Sequence, residues 1–141
     1  MQRKASAAWQ GGIKDGKGTI STESRVLAAM PYSFSTRFEG APGTNPEELL
    51  AASHAGCFSM ALSLILGEAG IRPERIDTTA TVTLEKLETG FTVTKIHLDV
   101  TVAAPGAERG KFEAAAAKAK VNCPISKVLR ADISMDARLA A

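Results

Sequence analysis

The sequence predicts an α+β fold in which helices pack on antiparallel sheet, and three observations carry that prediction. Strands are grouped first, then comes one long helix, then strands, helices and a closing strand, instead of a strict strand–helix alternation. The stretch from Leu49 to Leu66 contains no Asp, Glu, Lys or Arg, so its helix is apolar all round and suits the buried centre of a soluble protein. Two long alternating stretches beyond it read as paired strands. With 141 residues, the chain is sized for one domain, residues 1–141.

The elements follow in order. ASAAWQG and KGTISTES read as strands flanking a hairpin signal at Asp15-Gly16. PYSFSTRF alternates, with Tyr32, Phe34, Thr36 and Phe38 on one face and Ser33, Ser35 and Arg37 on the other, so it reads as a further strand. EGAPGTN is dense in turn residues. The long helix opens on Asn45 as cap, Pro46 in the first turn, and Glu47 and Glu48 at the positive end of the helix dipole. It stops near Gly70 and Pro73. If unbroken it spans ~36 Å, so it crosses the whole domain, and a dimer would supply further cover for its apolar surface. Two alternating strands then meet at a tight turn, Glu88-Thr89-Gly90. The apolar parity of the second changes between Val93 and Ile96, which predicts a bulge near Lys95. KFEAAAAKAK is a helix by propensity, NCPISKVLR follows, and Ile133, Met135, Ala137 and Leu139 mark a final strand.

Composition excludes several classes. Hydrophobic residues make up 45% and charged residues 23%, the balance of an ordinary globular protein. The net charge of +2 is spread along the chain and leaves no footprint for nucleic acid. The apolar helix lacks a membrane signature, because Ser53, His54, Ser59 and Ser63 interrupt it and its flanks are acidic. The first residues have no apolar run of the secretory kind, which points to the cytoplasm. There, thiols stay reduced, and two cysteines favour catalytic, redox or metal-binding roles over a structural disulfide.

The two cysteines are Cys57 and Cys123. Pro124 places Cys123 at a helix start, where the dipole lowers a thiol pKa; the alternative is a small apolar residue closing a turn. Cys57 sits inside the long helix on a stripe with Leu50, His54, Ala61 and Leu64, and would be inert there unless another segment supplies a cation. Arg37 is a candidate, although a solvated strand residue is the simpler reading. Glu47 lies ~15 Å along the helix from Cys57, too far to touch it, but a carboxylate there can hold an arginine that reaches across. His54 is a base for Cys57 or a core residue. His54, His97 and the two cysteines lack the paired spacings of a zinc module, so no metal is expected. Trp9 and Tyr32 read as packing residues.

Taken together, KGTISTES, PYSFSTRFEGAPGTNPEELLAASHAGCFSMALSLILGEAG, IDTTATVTLEK, GFTVTKI and NCPISKVL resemble the OsmC branch of the OsmC/Ohr family of thiol peroxidases. The likeness runs over nearly the whole chain, and STRFEG favours OsmC over Ohr, whose arginine comes from another strand. The resemblance implies an intertwined homodimer of α+β subunits sharing the long helices. It implies Cys57 as the peroxidatic cysteine, Cys123 as the resolving one, Arg37 as the catalytic arginine and Glu47 as the acid that positions it, which reverses the dipole argument for Cys123. It implies reduction of an organic hydroperoxide, to which Phe58 and Met60 are suited as apolar neighbours. Recycling would use a lipoyl-type dithiol, with no cofactor. A redox sensor using the same disulfide as a switch is the alternative. Whether His54 or Glu48 assists is open.

Overall fold

A computed structural model describes residues 1–140. The chain divides into two compact units, Met1–Leu49 and Leu50–Ala141, each taken by itself.

The first unit is built on a three-stranded antiparallel sheet of β1 (Ala5–Gln10), β2 (Lys17–Thr22) and β3 (Met30–Tyr32) in that order. The hairpin signalled by Asp15-Gly16 is present, with a connection of residues 11–16 in place of a two-residue turn. All six residues of β1 are exposed. The alternating stretch after β3 is not a strand. It forms a short helix, α1 (Phe34–Phe38), and the cause is local. Ser33 is extended and accepts a hydrogen bond from the Thr36 N–H, while the Thr36 hydroxyl accepts one from the Ser33 N–H. This reciprocal cap satisfies two helix-start donors. Phe34 and Phe38, one turn apart, then stack at 4.8 Å.

Helix α2 (Pro46–Glu68) starts where the Asn45 side chain accepts from the Glu48 N–H at 2.8 Å. It ends where Gly70 takes a positive φ of 75°, letting the Ile71 N–H return to the Leu66 carbonyl at 2.8 Å. Among the described residues it is the one helix long and apolar enough to cross a membrane by length and composition. Its buried residues are His54, Phe58, Leu62, Ile65 and Leu66. Leu64, expected on the stripe with Cys57, is instead exposed.

The second unit holds β4 (Arg75–Leu87), β5 (Gly90–Ala103) and β6 (Asp132–Ala140) in the order β4-β5-β6. The β4/β5 pair is antiparallel, turns at Glu88-Thr89, and slips register between Thr83 and Leu84 so that Thr94 has no partner across the ladder. This bulge brings Ile96, Leu98, Val100 and Val102 onto one fully buried row. The sheet is not purely antiparallel, because β6 runs parallel to β5. A parallel pair needs a crossover, and α3 (Arg109–Asn122) and α4 (Pro124–Val128) provide it. Phe112, Ala115, Ala116 and Ala119 of α3 close the core against the β5 row and against Phe58, Leu62 and Leu66 of α2. Small alanines let a helix approach closely, and Cys123 extends that face, fully buried.

Candidate active site

The four candidate residues fall into two side-chain pairs, one in each unit. In the first, the Arg37 guanidinium grips the Glu47 carboxylate. Nη2 donates to Oε1 at 2.6 Å, and Nε donates to Oε1 and Oε2 at 3.1 and 3.2 Å. Planar, multiply bonded arginine–carboxylate pairs fix direction as well as distance. Arg37 projects from α1 and not from a strand. The loop between the two residues is tied down by the Thr44 N–H on the Pro31 carbonyl at 2.8 Å, and by the Thr36 hydroxyl on the Thr44 carbonyl at 2.9 Å. The guanidinium also lies 5.1 Å from the centre of the Phe38 ring, a cation–π distance.

Beside Arg37 is a cavity of about 270 Å³ lined by Trp9, Ile13, Tyr32, Ser33, Phe34, Phe38 and Pro46. Trp9 and Tyr32 are therefore more than isolated packing residues: their rings meet at 5.3 Å. The reason lies between them. Gly18 pairs with Trp9 on one side and Tyr32 on the other. A Cβ at Gly18 would collide with the Tyr32 ring and lie 2.7 Å from the Ala8 carbonyl oxygen. The missing side chain lets the two flanking aromatics lean together over the middle strand. A lone glycine within a strand pattern, with aromatics in the strands on both sides, is the signal that could have revealed this pocket.

In the second unit, Cys57 of α2 and Cys123 at the α3–α4 corner are both free thiols. The two thiols are close enough for Cys123 to act on the ionisation of Cys57, as does the backbone N–H of Ile125. Burial raises the Cys57 pKa above the ordinary thiol value; the Ile125 N–H opposes this by favouring the thiolate, and the Cys123 thiol adds to the rise. One helical turn away, the His54 Nε2 and the Ser126 hydroxyl share a hydrogen bond of 2.8 Å. His54 is fully buried, its Nδ1 has no partner, and burial lowers its pKa.

The other candidates separate. Glu48 is exposed and its backbone is capped by Asn45. Phe58 is a core residue with no exposed surface, and Met60 is 77% exposed. His97 joins Ser134 and Asp136 across the β5/β6 pair. No cluster of three or more His, Cys, Asp or Glu side chains suited to a metal occurs among the described residues.

The α+β fold brings together two cysteines remote in sequence, an arrangement suited to thiol–disulfide chemistry. A family profile described as "OsmC-like protein" matches residues 38–138. The chain is 57% identical over 139 residues to the peroxiredoxin OsmC of Escherichia coli (strain K12), covering 99% of this chain and 97% of that one. Among solved structures, the organic hydroperoxide resistance protein OhrB of Bacillus subtilis superposes with a TM-score of 0.68 at 28% identity, covering 97% and 98% of the two chains. An OsmC-like protein from Mycoplasma pneumoniae superposes at 0.78 with 15% identity, covering 100% and 99%, a likeness of fold alone. The chain belongs to the OsmC family.

Proposed function

We propose that this chain is a cysteine-based peroxidase that reduces organic hydroperoxides. The single observation that carries the reading is the proximity of the Cys57 and Cys123 thiols, which are 66 residues apart in sequence. In this reading, Cys57 is the peroxidatic residue and attacks as thiolate. Burial alone would keep it protonated, so the site needs a cation, and Arg37, held in one plane by Glu47, supplies it. The Cys57 thiolate attacks the outer oxygen of ROOH. The O–O bond breaks, sulfur is oxidised to sulfenic acid, and the leaving alkoxide takes a proton to become ROH. Arg37 also stabilises charge on that leaving oxygen. The Cys123 thiol then displaces hydroxide from the sulfenic sulfur, giving a disulfide and water. A lipoyl-type dithiol reduces the disulfide and is itself oxidised to a cyclic disulfide.

The aromatic cavity beside Arg37 supports an organic tail over hydrogen peroxide, since it offers apolar surface next to the arginine assigned to the reaction. The exposed side of α2 supports a homodimer. Ala52, Gly56, Met60, Ser63, Leu64 and Gly67 form a continuous uncovered stripe, and β1 is uncovered throughout; a second copy of the chain would bury both. We place the working enzyme in the cytoplasm, as one functional domain over the whole chain.

Steady-state consumption of an organic hydroperoxide with dihydrolipoamide tests the reading, using the natural chain, Cys57→Ser and Cys123→Ser. The expected result is turnover in the natural chain, none without Cys57, and one peroxide cleaved per site without Cys123. A single oxidation event without turnover in the natural chain would replace the enzyme by a redox switch.

A further inference from the structure

We propose that the buried His54–Ser126 hydrogen bond is the positioning device that holds Cys123 in register for disulfide closure with Cys57. The proposal rests on the two-cysteine reading above and assigns a task to two residues that the reaction steps leave unused.

The geometry of the corner makes such a device necessary. Cys57 lies in the middle of the 23-residue helix α2, fixed on both sides by the helical ladder. Cys123 is not fixed in that way. It ends α3 and caps α4, with non-helical backbone angles of φ −53° and ψ 124°. Its N–H bonds back to Ala119 at 2.9 Å and its carbonyl accepts from the Lys127 N–H at 3.1 Å. It therefore sits at a joint between two helices, and the second has only five residues, too few to be stable without tertiary support. Forming a disulfide demands sulfurs ~2 Å apart with a restricted dihedral angle. A loose joint would spend most of its time outside that geometry.

The His54–Ser126 bond lies where it can hold the joint. Moving one turn back along α2 from Cys57 reaches His54, and moving one turn forward from Cys123 reaches Ser126. The imidazole-to-hydroxyl cross-link thus joins the same two segments that carry the neighbouring thiols, one turn from each and in antiparallel register. Between them, the Ile125 N–H favours the thiolate of Cys57. Proton transfer is not the task of His54. Its Nε2 is engaged by Ser126 and its Nδ1 has no hydrogen-bond partner, so neither nitrogen bonds a thiol. An apolar pair could fill the same space but would not fix direction; a hydrogen bond does. The cost is a ring nitrogen buried without a partner, a group that packing alone would not select.

The test uses the full-length natural chain, Ser126→Ala and Ser126→Thr. Each is equilibrated with glutathione and glutathione disulfide, and the fraction carrying the Cys57–Cys123 disulfide is measured by mass spectrometry after acid quench. This couple oxidises two protein thiols as one glutathione disulfide becomes two glutathiones, so it needs no peroxidase activity. A second arm adds a stoichiometric organic hydroperoxide and follows the lifetime of the Cys57 sulfenic acid with a dimedone-type trap. Ser126→Ala is expected to lose about tenfold in the disulfide equilibrium, equivalent to ~30 mV. Its sulfenic acid is expected to persist about tenfold longer, while the rate of sulfenic acid formation stays close to that of the natural chain. Ser126→Thr, which keeps the hydroxyl, is expected to restore both. Natural disulfide equilibrium and natural closure rate in Ser126→Ala would overturn the proposal. So would a Ser126→Thr variant as impaired as Ser126→Ala, because the hydroxyl would then not be what matters. A natural chain that forms the disulfide in glutathione but ignores hydroperoxide would overturn the peroxidase reading alone. One that forms no Cys57–Cys123 disulfide at all would overturn this inference.

Discussion

Glu47→Gln isolates the positioning of Arg37 from its charge. The substitution keeps the shape of the side chain but leaves one neutral carbonyl acceptor where a carboxylate took three contacts at 2.6, 3.1 and 3.2 Å. Hydrogen bonds to charged groups contribute ~1.5–3 kcal/mol each in protected sites. Here the Arg37 side chain is 35% exposed and that of Glu47 17%, so water screens part of the interaction, and about 1–2 kcal/mol for the whole pair is the discounted figure. Spent on holding the guanidinium in one orientation, that is a factor of roughly 5–30 in the fraction of arginine correctly placed. The expected outcome is a loss of roughly 5–30-fold in kcat/KM for an organic hydroperoxide with dihydrolipoamide recycling. Alkylation of Cys57 in a Cys123→Ser background reads the same effect at the thiol. Its pH midpoint is expected to move upward, because a displaced cation no longer favours the thiolate. Arg37→Ala should be worse than Glu47→Gln, and the double variant no worse than Arg37→Ala, since the two residues act as a unit. Activity within twofold of the natural chain in Glu47→Gln, alongside a crippled Arg37→Ala, would refute the positioning argument for Glu47.

Three further outcomes are expected. Gly18→Val should push Tyr32 off Trp9, cost ~1–3 kcal/mol of stability through overpacking, and raise KM for bulky hydroperoxides more than for hydrogen peroxide. Trp9 is the only tryptophan, so its emission reports the displacement, and an unchanged spectrum would contradict the pocket geometry. Gly56→Leu tests the uncovered face of α2. No atom lies within 4 Å of a Cβ at that position in the single chain, so the chain should fold and sediment as a monomer, whereas a persistent dimer would place the interface elsewhere. The third outcome concerns acid. The pKa of His54 in the folded chain lies below the ordinary imidazole value because burial disfavours the cation. In the unfolded chain it returns to ~6.5. As pH falls below that value the unfolded state takes up a proton that the folded state refuses, so stability drops, by at most ~1.4 kcal/mol per pH unit. The contribution is fully present above the unfolded value and is lost as pH falls toward the folded one. Urea unfolding between about pH 5 and pH 8 checks this, and His54→Asn should flatten the slope.

Much of the architecture is written in short-range pattern. Asn45, Pro46 and the paired glutamates start α2 and Gly70 ends it, because capping and the helix dipole act within one turn. The parity change between Val93 and Ile96 located the β5 bulge to within a residue, since a register slip must move side chains from one face to the other. Residues 33–38 show the limit of that reading. Their alternation is compatible with a strand, but Ser33 and Thr36 cap each other and Phe34 and Phe38 stack one turn apart, so the helix wins over a stretch too short for periodicity to decide. The strand content of residues 132–140 was equally legible, but its direction was not. Alternation is the same read either way, and the parallel pairing with β5 follows from where the α3–α4 crossover delivers the chain.

The site divides along the same line. The sequence by itself supplied the candidate inventory: two thiols, an arginine, and an acid at a helix start. The family resemblance it carries implies roles for them. Only the tertiary structure decided which groups meet. His54 and Ser126 are 72 residues apart, Cys57 and Cys123 are 66 apart, and Trp9 reaches Tyr32 only across Gly18. The physical reason is one of range. Capping, helix propensity and alternation are energies between neighbours along the chain. The meeting of remote side chains is set by packing α2 and α3 onto the buried row of β5, and no local term contains that information.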